Sequence, residues 1–513
     1  MTDSVSESDS AEAAALAQAG MREILEWLDT PPSLEPADEL SPLRAHLLSL
    51  RDTQASTHQR AEALDQLYAR GVSVVARLLP ALADVALPVP RKIRQMVRSL
   101  QDLLRMLAED MPRTLGDFDE HRIRGLHRPK DFTLWRTLHA LAQHLLISDL
   151  IAAPSGAGIW QQLHQTYAIA RGLDLAERTP DGEQSSLRQI YFSALLLGCA
   201  QPASFSSREI NFVADYLKRF ADCAEPLSEA PADSAGTFWI APFRDAPPFA
   251  CTRKTATPDA SVFYFSCDRL ADQIKKQLAA LSAGSTAQQI GLPAFADTTT
   301  GHGVLRRLAN YWGQPGKRRF QRRRQNYRAV LCAGLESLWQ HFRDDDTNAP
   351  DVSSWMITNE SPDGYAIMHV TGKTGKLVVG DITAIRTESG KDWQICLVRW
   401  ALSENPEHLE LGLQILSPRA IPAILALQTD ASGVSRNMRQ PALILPETPP
   451  LRLTPTLVVP TGALRAPHGR LILIIEQGNI EIREVHVTRL EEQTASVEVF
   501  SIQPDGRPAP ADH

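Results

Sequence analysis

The sequence predicts a multidomain α+β protein with four parts: an N-terminal all-α helical array, a small α/β connector, a C-terminal antiparallel β-barrel and a small β module after it. Three observations predict this. Apolar residues recur at helical spacing up to about residue 225, and the period shifts to two from Arg328 onward. The proline- and serine-containing break LSEAPADSAG (227–236) ends the helical pattern. The chain has 513 residues, 43% of them hydrophobic, which is ample for several buried cores.

The first part, residues 1–40, reads as an acidic disordered terminus with one short helix. Residues 41–226 read as the helical array. In 57–85, Ala61, Leu64, Leu67, Val72, Val75 and Leu78 fall at roughly helical steps, and 90–111 shows a similar pattern with Ile93, Met96, Val97, Leu100, Leu103 and Leu104. Trp160, Leu163, Tyr167 and Ala176 resemble one copy of a tetratricopeptide repeat; a helical bundle with an aromatic stripe in its core accounts for them more simply. Residues 237–315 form the connector, with TFWIAPF (237–243) and SVFYFSC (261–267) as strands. The barrel spans 316–425. Its expected strands are 328–338, 354–358, 365–370, 376–386, 393–402 and 409–416, and this spacing suits a closed antiparallel barrel. After Pro418 a linker is expected to run to LPETPPL (445–451). The β module (440–505) has strands at 470–477, 480–490 and 495–502.

Composition narrows the function. A net charge of −7 argues against a general nucleic-acid binder, so an anion site has to be a local patch. The six cysteines form no C-x-x-C pair and no zinc spacing, as expected of reduced thiols in a cytoplasmic protein. MTDSVSESDSAE has no apolar signal core, and no apolar run approaches the ~18 residues of a membrane span. No P-loop, H-E-x-x-H or G-x-S-x-G motif occurs, and the expectation is a protein that is not an enzyme and needs no cofactor or metal.

The chemistry concentrates in KRRFQRRRQNYR (317–328), which holds seven basic residues in twelve and no acid. Arginine outnumbers lysine there. Its planar fork pairs with phosphate and stacks on bases, which a lysine ammonium cannot do. Phe320 and Tyr327 add flat surfaces. Downstream, Asn359-Glu360-Ser361-Pro362-Asp363-Gly364 lies between two expected strands. Asn359 and Ser361 are two apart and point the same way on an extended backbone, and Gly364 permits a sharp turn through φ > 0.

Together these pieces resemble the PilZ domain family. That family carries R-x-x-x-R just before its first barrel strand and [D/N]-x-S-x-x-G between its second and third. Here Arg324 and Arg328 match the first motif, with Arg322 and Arg323 immediately upstream. Asn359, Ser361 and Gly364 match the second, and Val398-Arg399-Trp400 with Glu410-Leu411-Gly412-Leu413 resemble the late strands. The resemblance covers roughly 316–420, in the C-terminal part of the chain only. It implies a PilZ-like barrel and a receptor for cyclic di-GMP, bound through Arg323, Arg324, Arg328, Asn359, Ser361 and Gly364. The acidic insertion with Asp344–Asp346 departs from the pattern. On this reading the arginine segment is a mobile linker that folds across the barrel when the ligand neutralises it, and the domains rearrange. A protein partner is expected to dock on the helical array. The alternatives are a single-stranded nucleic-acid binder using the basic run, with affinity falling steeply with salt, and a ligand-independent helical scaffold.

Overall fold

The computed structural model describes residues 19–504 except 54–55, 121–129, 230, 232–234, 257–261, 317–319, 344–351, 376, 406–407, 430–434, 450–451, 465–468 and 478. The expected disorder at 1–11, Lys317 to Arg319 and Asp344–Asp346 lie outside the described residues.

The N-terminal region is helical, as the 3.6-residue period requires. Helix α1 (19–28) leads into α2 (Leu40–Asp52), α3 (Thr57–Leu78), α4 (Arg91–Glu120), α5 (Lys130–Leu150), α6 (Ile159–Gly172), α7 (Leu187–Cys199) and α8 (Ser207–Phe220). Capping chemistry sets several starts. Ser56 with Gln59 opens α3, and Ser206 with Glu209 opens α8, each by a reciprocal capping box. The aromatic stripe on α6 is core: Trp160 and Tyr167 are buried, and Tyr167 stacks on Tyr191 with ring centroids 3.9 Å apart.

The connector is a four-stranded sheet, ordered β1 (Glu225–Leu227), β4 (Phe263–Ser266), β2 (Thr237–Ile240), β3 (Phe249–Ala250). Helices α9 (Asp268–Ser282) and α10 (Thr299–Gly313) follow it and pack against each other. Helix α10 ties it to the helical array: Arg307 pairs with Glu209, and the Trp312 indole donates to the Leu196 carbonyl at 3.0 Å.

Two closed six-stranded antiparallel barrels complete the chain. The first is made of β5 (Arg323–Ala333), β6 (Ser353–Ser361), β7 (Gly364–Thr371), β8 (Ile382–Thr387), β9 (Gln394–Asn405) and β10 (His408–Ser417), with β5 between β6 and β8. The second is made of β11 (Ile421–Thr429), β12 (Ser435–Leu445), β13 (Thr456–Pro460), β14 (Arg470–Gln477), β15 (Asn479–Gln493) and β16 (Val497–Pro504). Inward residues of β5, such as Ala329 and Leu331, join one apolar core that continues through the connector into the helical array. The second barrel has its own interior, built on Leu425, Ile444, Leu457 and Phe500.

The structure corrects four expectations. The barrel motif is central to the chain, because a second complete barrel follows it. The stretch after Pro418 is not a linker: it forms β11 and β12. The strand expected over 328–338 stops at Ala333, where Gly334 (φ +92°) turns the chain into helix α11 (Leu335–Arg343). The arginine segment is not a loose linker, since Arg323 to Arg328 are laddered into β5.

The barrels lie wall to wall. Outward residues Cys332, Ile382, Ala384, Ile395 and Leu397 of the first pack with Leu443, Leu445, Val458, Val497 and Val499 of the second, and Leu338 of α11 is wedged between them. These strands are apolar on both faces, which is why β12 and β13 read as ALIL and TLVV rather than alternating. The helical array meets the first barrel through Arg94, buried on α4, which donates to the Ser403 hydroxyl at 3.2 Å; the Ser403 amide donates to the Ala152 carbonyl at 2.7 Å. Among the described residues, no helix is long and apolar enough to cross a membrane.

A candidate anion-binding cleft at the rim of the first barrel

The start of β5 sets the basic side of the site. Arg323 pairs in register with Glu360 and Arg324 with Asn359, on β6. A bulge follows, and the register resumes with Tyr327 opposite Ile357 and Arg328 opposite Met356. At the bulge, the Gln325 amide and, just past it, the Tyr327 hydroxyl each donate to Glu360 Oε2 at 3.1 Å. Burial, with the Glu360 carboxylate beside it, pushes the Tyr327 phenol far above its usual range, so it stays a donor. Glu360 is thereby turned to Gln325 and Tyr327.

The arginines themselves are left over. Arg323, Arg324 and Arg328 are exposed, and none has a side-chain hydrogen bond or ion pair with a described residue. Many arginines elsewhere are engaged, as Arg70 with Glu39 at 2.6 Å and Arg51 with Asp110 at 2.8 Å. Three neighbouring guanidiniums without carboxylates raise a positive potential that favours an anion.

The β6–β7 hairpin forms the next wall. The Ser361 hydroxyl lies 2.6 Å from Asp363 Oδ1 and 3.2 Å from the Gly364 carbonyl, which holds the turn closed. The Asp363 carbonyl accepts the Ile415 amide at 2.9 Å, pinning the turn to β10. Gly364 is needed here, though not for the reason its sequence context implies. Its φ is not positive; a Cβ there would lie 2.0 Å from the Leu413 carbonyl oxygen. The requirement is close approach of two backbones.

Strands β9 and β10 supply the third wall. Gly412 is opposite Trp400, and a Cβ on Gly412 would sit 1.7 Å from the indole nitrogen, so the ring lies across bare backbone. The register then skips: Gly412 pairs with Trp400 and Leu413 with Val398, leaving Arg399 as the extra residue of a bulge. Bulges re-aim side chains. The Arg399 guanidinium donates from Nε to Gln414 Oε1 at 2.5 Å and from Nη2 to Glu492 Oε2, on β15, at 2.6 Å.

These walls enclose a cleft of about 490 Å³ lined by Phe320, Arg322, Ser361, Asp363, Gly364, Arg399, Trp400, Gly412, Leu413 and Gln414. The Arg322 guanidinium carbon is 6.0 Å from the Trp400 ring centroid. Of the residues singled out from sequence, Ser361 and Gly364 line the cleft. Arg324 and Asn359 face each other across the adjoining ladder, with Arg323 beside them. Arg328 stands four residues farther along β5, opposite Met356 and away from the cleft lining. Sequence reasoning named Arg399, Trp400 and Asp363 only as motif neighbours, without a place in the site, and did not name Gln414. The available signal was a tryptophan twelve residues before a glycine on an adjacent strand, a pairing visible only once the register is known.

Comparison with known proteins places the chain. Residues 22–231 match the family model described as the N-terminal domain of the cyclic-di-GMP receptor FimW. Residues 237–346 and 339–422 match its middle PilZ domain, and 425–504 match the FimW C-terminal beta-barrel domain. A Pseudomonas aeruginosa protein named cyclic-di-GMP receptor FimW is 22% identical over 527 aligned residues, covering 86% of this chain and 84% of that protein. With these three matches in succession, and with the arginine strand and glycine hairpin on the middle barrel, the chain carries a PilZ domain standing between a helical domain and a second barrel.

Proposed function

We propose that this chain is a cyclic di-GMP receptor that binds its ligand at the rim of the first barrel. The observation that carries this reading is the group of β5 arginines with no side-chain partner among the described residues, beside a cleft with a flat aromatic wall, in a chain of net charge −7. Cyclic di-GMP carries two phosphates and two planar bases. Arginine forks meet the first need, and Trp400 and the guanidinium faces meet the second. Arg324 and Arg323 serve the phosphates, Asn359 and Ser361 a base edge, and Gly364 keeps the hairpin against β10. Arg328 lies up to about 13 Å along β5 from Arg324 at ~3.3 Å per residue. A ligand held by both must span that distance, which a stacked pair of molecules does more readily than one.

A charge-assisted hydrogen bond to phosphate contributes about 1.5–3 kcal/mol, and tenfold in affinity is about 1.4 kcal/mol. Arg324→Ala and Arg328→Ala are each expected to weaken cyclic di-GMP binding at least tenfold in calorimetry, with cyclic di-AMP and GTP as controls. Unchanged affinity in both variants would contradict the site. Affinity that is indifferent to the base but falls steeply with salt would favour the nucleic-acid reading instead.

A further inference from the structure

Arg399 belongs to two assemblies at once. Thrown out by the β9 bulge, it lines the cleft beside Trp400 and is held by Gln414 of the same barrel. Its Nη2 donates at 2.6 Å to Glu492, which comes from the other barrel, 93 residues along the chain. Both side chains of this pair are about a quarter to a third exposed, so solvent screens it only in part. Arg399 is the one described partner of the Glu492 carboxylate.

Glu492 sits where three bodies meet. The next residue, Gln493, accepts from Arg306 Nη1 on α10 at 2.9 Å and donates to Glu498 at 2.7 Å. Gly303 of α10 packs on the same spot: a Cβ there would come within 3.1 Å of the Gln493 carbonyl. The Thr494 hydroxyl donates to the Gly380 carbonyl at 2.8 Å, and Ser496 donates to Asp381, both before β8 of the first barrel. The β15–β16 hairpin is thus tied to the first barrel body by uncharged donors and to the cleft by one ion pair. Through Arg307 and Glu209, α10 continues to α8 of the helical array.

We propose that Glu492 and the ligand's phosphate compete for Arg399, so that the second barrel regulates the cleft and the cleft regulates the β15–β16 hairpin. This rests on the cyclic di-GMP reading above. An anion brought against Arg399 faces the Glu492 carboxylate across a single guanidinium. Whether it displaces Glu492 or shares the arginine through Nη1, the two negative charges oppose each other. The antagonism is reciprocal by linkage: what Glu492 costs the ligand, the ligand costs the Glu492 contact. The barrel wall stays packed, since its apolar contacts do not involve Arg399. The response is therefore confined to the hairpin and to the end of α10 that rests on it, not a separation of the barrels.

The test uses the full chain, cyclic di-GMP and Glu492→Gln, which keeps the shape and removes the charge. The variant is expected to bind about five- to tenfold more tightly than wild type, within the usual range of coupling between sites. Glu481→Gln, which removes a carboxylate paired with Arg483 elsewhere on β15, is expected to bind as wild type does. In wild-type protein, ligand is expected to raise amide exchange over 490–498, which requires no variant to fold. Wild type that binds, with Glu492→Gln within twofold of it and no ligand-dependent exchange at 490–498, overturns this inference and leaves the receptor reading intact. Wild type and variant that both fail to bind overturn the receptor reading itself.

Discussion

The two barrels have the same strand count, the same antiparallel pairing and the same closure, yet they use their charges differently. In the second barrel, Arg452, Arg470, Arg483 and Arg489 each face a carboxylate, respectively Glu491, Glu484, Glu481 and Glu491. In the first, Arg323, Arg324 and Arg328 lie along one strand with no carboxylate partner among the described residues. The glycines differ in the same way. Gly462 of the second barrel has φ +76° and open space around it, a turn requirement; Gly364 and Gly412 of the first are pressed against Leu413 and Trp400. Architecture alone therefore says nothing about ligand binding. What distinguishes the first barrel is three arginines without a carboxylate among the described residues, two close backbone approaches and the bulge that turns Arg399 into the cleft.

The largest expected effect tests whether the shared wall is separate from the cleft. Leu443 is fully buried between the barrels, and Leu443→Ala is expected to cost about 2–5 kcal/mol in urea unfolding while leaving ligand affinity within twofold. A large loss of affinity would mean that the wall shapes the site. Next, Gly364→Ala forces a methyl into the Leu413 carbonyl and is expected to cost about 1–3 kcal/mol of stability. Ligand binding should weaken with it, measured by the same titration. A variant as stable as wild type would show that the hairpin is not clamped to β10. The Arg324→Ala effect, at least about 1.4 kcal/mol on binding and almost nothing on folding, follows from the arginine having no partner among the described residues to lose. Smallest is Arg483→Ala in the second barrel. It breaks an exposed pair, so stability should move by no more than about 0.5 kcal/mol and affinity not at all. If Arg483→Ala weakened binding as Arg324→Ala does, the contrast between the barrels would be false.

Much of this was legible in the sequence where one physical signal dominated. The helical array followed from apolar spacing, and the first barrel from strands with one buried face. The arginine run stood out against an acidic chain. Strands β11 to β13 did not read as strands, because β12 and β13 are covered on both faces and lose alternation, while Pro418 and Pro422 made β11 look like a linker. Gly364 was identified for its conformational freedom, whereas its neighbour's carbonyl is what demands it; nothing local encodes that. The register of Gly412 against Trp400, and the meeting of Arg399 with Glu492, are long-range facts that become readable only after both barrels close.

The β9 bulge has a consequence for how such a site is inherited. Arg399 reaches the cleft because one residue too many lies between Val398 and Trp400 for the partner strand to match. Its aim is thus stored in a length, not in a side chain. Deleting a single neighbour would restore the pleat and swing the guanidinium to the opposite surface with every amino-acid type around it unchanged. A relative could keep the arginine, the tryptophan and the glycine and still lose the arrangement through one missing codon.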